Sequence, residues 1–111
     1  MNVILVITDT IKEAENMEAD LIKKISLNAT GYYARSFGMV TMRQCTVIFR
    51  TAYEINNGKS FGIIPNYIYN HSMHELDYVS NMVSTGVIEP DCELIELVTT
   101  LEGITYVQGK N

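Results

Sequence analysis

Two cysteines, no long apolar run and eight basic residues against thirteen acids are the scarcities that first bound this 111-residue sequence. Cys45 and Cys92 lie apart, with no Cys-x-x-Cys pair and no cysteine–histidine cluster. Two such residues make no disulfide framework and no zinc set, so reduced thiols are expected. The longest N-terminal apolar run, Val3 to Ile7, is five residues with no basic segment before it and Asp9 just after. That is too short for a signal peptide or a membrane span, and the expectation is a soluble, cytoplasmic chain with no membrane partner. A net charge of −5 argues against a general nucleic-acid binder, so nucleic acid is not the favoured partner. Repeats, linkers and low-complexity tracts are also missing.

What is present is the composition of an ordinary globular domain, 47% apolar and 19% charged. At this length one domain, residues 1–111, buries a core without metal or disulfide support. The charge is uneven: residues 1–30 carry −2, residues 31–60 carry +3 and residues 61–111 carry −6. The basic middle therefore faces either an anionic ligand or the acidic C-terminal third of another subunit.

Val3-Ile4-Leu5-Val6-Ile7 is unbroken and β-branched, the pattern of a strand buried on both faces. Thr10-Ile11-Lys12-Glu13 then matches the capping box that opens a helix. Ile11, Ala14, Met17, Leu21 and Ile25 form one apolar stripe along that helix, and Asp20 and Lys24 pair on its wet face. Met39 to Ala52 reads as one or two strands, with Cys45, Val47 and Phe49 toward the core and Arg50 on the other face. A strand over Ile63–Tyr69 and a second capping box, Ser72-Met73-His74-Glu75, predict a helix over Ser72–Val83. Glu93–Val98 reads as a further strand and Gly103–Val107 as an open edge strand. The sum is a single α/β domain with a mixed sheet of about five strands and two main helices.

Asn57-Gly58-Lys59-Ser60 sits between two strand-like runs. Asn-Gly there is a strong hairpin signal, because both turn residues must accept positive φ. The alternative, a phosphate loop, needs Gly-x4-Gly-Lys-Ser/Thr; the first glycine is missing and Pro65 falls where a helix interior would follow.

In order of elements, the chain resembles the core of P-loop ATPases of the phage terminase and helicase kind, from after the phosphate loop onward. Thr46-Val47-Ile48-Phe49-Arg50, Gly58-Lys59-Ser60 and Asn66-Tyr67-Ile68-Tyr69-Asn70 carry the resemblance. Where that family ends a strand in acids, this chain has Asn70-His71, which bring no negative charge to Mg²⁺. The resemblance implies an ATPase-like core without catalytic parts, hence a binding or regulatory protein, of viral origin by the same analogy.

Catalytic chemistry is sparse. His71 and His74 stand three apart with Glu75 and Asp77 near, but no cysteine or further histidine completes a set, so no metal is expected. A Ser-His-Asp arrangement is permitted by spacing, but the Gly-x-Ser-x-Gly elbow is missing. No catalytic residue and no cofactor are assigned. The expected contact surface is the loop bearing Tyr32, Tyr33, Arg35 and Phe37, since aromatics and arginine dominate binding surfaces, joined by Arg50 and Lys59. Arg35→Ala is expected to weaken binding while leaving the melting temperature nearly unchanged. The leading expectation is a non-catalytic binding protein for a protein partner or a nucleotide-like anion. A small enzyme acting on a phosphorylated or nucleic-acid substrate and a structural homo-oligomer are the alternatives, and a dimer is the favoured state.

Overall fold

The computed structural model describes residues 1–27, 34–36, 38–58 and 64–105. Five strands, β1 (Asn2–Thr8), β2 (Ala34–Ser36), β3 (Met39–Thr41), β4 (Cys45–Thr51) and β5 (Tyr67–Asn70), form one mixed sheet in the order β2-β3-β4-β1-β5. Among the described residues four helices accompany them: α1 (Ile11–Leu27), α2 (Ala52–Asn56), α3 (Asp77–Ser84) and α4 (Leu94–Glu102). The α/β class and the five-stranded mixed sheet agree with the sequence reading.

β1 is the axis of the sheet. It runs parallel to β4 on one side and to β5 on the other, while β2 and β3 add antiparallel strands beyond β4. Its side chains alternate between two cores. Ile4 and Val6 pack with α1 and α4 through Ala14, Leu21, Ile25, Ile95 and Val98. Leu5 and Ile7 pack with α2 and α3 through Ala52, Ile55, Leu76 and Val79. Cover on both faces is why β1 tolerates no polar alternation. Cys45, Val47 and Phe49 join the first core as expected, and Ile48 fills the second.

Several expected elements take another form. Glu93–Val98 is not a strand: Glu93 is the N-cap of α4, and Gly103 at φ 73° ends that helix. Ile95, Val98 and Thr99 form its buried stripe, and the Thr99 hydroxyl folds back 2.8 Å onto the Ile95 carbonyl. The edge strand over Gly103–Val107 is not seen among the described residues, and residues 106–111 lie outside them. Among the described residues the outer strands of the sheet are β2 and β5, and β5 is bridged on its outer side by Ile88.

The hairpin at Asn57-Gly58 is also corrected. β4 and β5 are not neighbours, because β1 lies between them and parallels both. Thr51-Ala52-Tyr53-Glu54 instead opens α2 with a complete capping box, in which the Thr51 hydroxyl accepts the Glu54 N–H at 3.2 Å. Gly58 does hold positive φ, 74°, but just past the end of a helix. Lys59 and Ser60 lie outside the described residues.

Candidate functional site

Parallel strands deliver their carboxyl ends to one side of the sheet. The helices that follow β1 and β5, α1 and α3, lie on opposite faces, so the topological switch point falls between the ends of those two strands. Asp9, one residue beyond β1, occupies it. Its Oδ1 accepts the Ser72 hydroxyl at 2.7 Å, and Oδ2 accepts the Met73 N–H at 3.1 Å. The His74 Nε2 stands 3.8 Å from Oδ1. The Ser72 and Met73 hydrogen bonds hold the Asp9 carboxyl below the usual aspartate range, with His74 adding a smaller pull.

This is the Ser-His-Asp grouping that spacing permitted, joined in the wrong order for nucleophilic catalysis. The Ser72 hydroxyl donates to the carboxylate and accepts the His74 backbone N–H at 3.0 Å, so no imidazole receives its proton. The same contacts displace the expected helix start. Ser72 is held by Asp9, and α3 opens only at Asp77, after an N-cap, Leu76, with no side-chain hydrogen bond. His71 and His74 are therefore not on a helix face; His71 stacks on Tyr69 with ring centroids 6.0 Å apart. Among the described residues no cluster of His, Cys, Asp and Glu is placed to hold a metal ion.

A second feature at the carboxyl end is open. Between the start of α1, the end of β4 and the start of α2 lies a cavity of about 420 Å³. Ile11, Ala14 and Phe49 give it an apolar wall, and Arg35, Arg50, Glu15, Glu18, Thr51 and Glu54 bring the polar groups. Ile11 was expected on the core stripe; it is instead 67% exposed at this opening.

Arg35 and Arg50 were singled out on different grounds, and the fold brings both to this one cavity. Arg50 bends back to donate to the Phe49 carbonyl at 2.7 Å. That path crosses Gly38, where an added Cβ would lie 3.2 Å from the Arg50 guanidinium and 3.1 Å from the Phe49 carbonyl oxygen. Tyr32, Tyr33, Phe37 and Lys59, the other expected contact residues, lie outside the described residues.

Glu18 is the residue that the sequence reading passed over. Its side chain is only 5% exposed, and Oε1 accepts from the Arg35 guanidinium at 3.1 Å. Oε2 is buried with no hydrogen-bond partner among the described residues. A signal existed: Ala14, Glu18, Leu21 and Ile25 follow at spacings of four, three and four, so a carboxylate occupies an apolar-stripe position. This contact also revises the expected silence of Arg35→Ala in thermal melts. Arg35 satisfies a buried carboxylate, and its loss leaves that charge unpaired.

Two larger cavities differ in chemistry. One, about 550 Å³, lies between α1, β5 and the start of α4, with Asp20, Asp91 and Glu93 around Tyr69 and His71. The Tyr69 hydroxyl there is already satisfied by the Cys92 carbonyl at 3.1 Å, and burial, followed by the Cys92 contact, raises its pKa. The other, also about 550 Å³, borders Ile64, Met82 and Ile88 and is mainly apolar.

No protein-family model, no curated protein and no solved structure matches this chain. Among the described residues, no helix is long and apolar enough to cross a membrane.

Proposed function

We propose that this chain is a binding protein that takes a small anionic molecule in the cavity between α1, β4 and α2. The observation that carries the reading is the meeting of Arg35, from β2, and Arg50, from β4, at the carboxyl end of a parallel sheet core. Guanidinium groups supply forked N–H donors suited to carboxylate and phosphate, and open α/β sheets place ligands outside their strand carboxyl ends. The volume, about 420 Å³, falls in the range of small-molecule sites, about 300–1,000 Å³, and suits a compact ligand better than a protein segment. The apolar wall of Ile11, Ala14 and Phe49 adds burial for a short carbon skeleton.

Calorimetric titration at low salt with small carboxylates and phosphates, with and without an amino group, tests the reading. At least one is expected to bind, and Arg50→Gln to weaken it about ten- to a hundredfold, the loss of one charge-assisted hydrogen bond of about 1.5–3 kcal/mol. Binding unchanged by Arg50→Gln, or a panel that does not bind at all, defeats the proposal.

A further inference from the structure

The cavity is not simply basic. Among the described residues two guanidinium groups face three carboxylates, those of Glu15, Glu18 and Glu54, for a formal balance of −1. A polyphosphate carrying several negative charges meets repulsion there as well as attraction. Glu54 is committed, since its Oε1 accepts the Thr51 N–H at 3.0 Å in the capping box. Glu18 is committed on one oxygen only. Arg35 covers it from the half-exposed side, and the second oxygen is shut off from water without a partner.

That arrangement restricts what an incoming anion can do. An anion that draws Arg35 toward itself takes away the one hydrogen bond that the described residues give to a buried carboxylate. A buried, unpaired charge is among the most unfavourable states of a folded chain. The exchange is favourable only if the ligand returns an N–H donor to Glu18 in place of the one that Arg35 withdraws.

Resting on the proposed anion site, we infer that its ligand is zwitterionic. It bears a carboxylate or phosphate for Arg35 and Arg50, and an ammonium or amide N–H a short carbon chain away for Glu18. Arg35 then acts as the hinge of selectivity, closing over Glu18 in the empty cleft and turning to the anion in the filled one.

Matched probes separate this inference from the proposal it rests on: β-alanine against propionate, and O-phosphoethanolamine against ethyl phosphate, titrated calorimetrically into the full chain. The aminated member of a pair is expected to bind at least tenfold tighter in the wild type. Glu18→Gln is expected to bring the ratio close to one, whereas Arg50→Gln weakens both members alike. If Glu18→Gln does not fold, the wild-type ratio and the Arg50→Gln series decide. Amine-free anions binding as tightly as their partners would overturn the zwitterion inference and leave the anion site standing. If none of the four binds, both fall.

Discussion

Gly38 carries two constraints at once. Its φ of +73° lies in the left-handed region, and an added Cβ would sit 3.1 Å from the backbone oxygen of Phe49. The first constraint alone costs an L-residue roughly 1–2 kcal/mol. The second adds a contact with backbone, which gives way less easily than a side-chain tip. Gly58 is the internal control, with φ +74° and nothing within 4 Å of an added Cβ. Gly38→Ala is therefore expected to destabilise by about 2–3 kcal/mol, against about 1 kcal/mol for Gly58→Ala. Denaturant midpoints of the two variants check it, and equal losses would show that the approach to Phe49 is inconsequential. Because the same Cβ lies near the Arg50 guanidinium, Gly38→Ala also belongs among the variants that disturb the cavity.

At the scale of elements, three of the four Ser/Thr-x-x-Glu sequences, those not already inside a helix, met different fates. Thr10 caps α1, accepting the Glu13 N–H at 3.1 Å, and that helix was legible in its apolar stripe from Ala14 to Ile25, Glu18 apart. Thr51-Ala52-Tyr53-Glu54 is equally clear in retrospect, but the β-rich run before it suggested that the strand continued. Ser72-Met73-His74-Glu75 has the right letters and fails, because Asp9, 63 positions away, takes the serine hydroxyl. A local motif states what a segment prefers in isolation; a long-range partner decided Ser72. The helix at 94–102 was hidden by its own hydrophobicity, since a dense apolar run fits a buried strand or a buried helix. Gly103, at the position where helices stop, was the unused clue. In the site, the arginines were legible as residue types, whereas their convergence depended on β2 joining β3 and β4. The prediction at this scale is Thr51→Ala. It removes the α2 cap beside the cavity and is expected to cost about 1 kcal/mol, within the usual 0.5–2 kcal/mol for cap removal. A thermal melt indistinguishable from wild type would show that α2 is held by Ala52 and Ile55 alone.

Over the whole molecule, the acidic C-terminal third reaches the middle of the chain through backbone N–H groups and not through its basic side chains. Glu102, the last residue of α4, accepts the backbone N–H groups of Arg43 and Gln44 at 3.1 and 2.7 Å. The clamp ties the helix to the turn between β3 and β4, directly over Cys45. Burial, followed by the hydrogen bond and negative charge of Glu102, pushes the Cys45 thiol up to about 12 from an ordinary value near 9. The native state therefore keeps a proton that the unfolded chain gives up. Stability from this group is full below pH 9 and declines as pH rises toward about 12. Asp9 works at the other end of the scale. Its carboxyl is held low, so its contribution is full above the ordinary aspartate value, near 4, and is lost as acid protonates the folded state. Wild-type stability is thus expected to form a plateau with two separable limbs. Asp9→Asn should flatten the acid limb, and Cys45→Val the alkaline one, each leaving the other limb in place. Urea denaturation at half-unit intervals from pH 3 to 11 distinguishes the outcomes. An alkaline limb unchanged in Cys45→Val would assign it instead to Tyr69 and Tyr78, whose hydroxyls burial also drives upward.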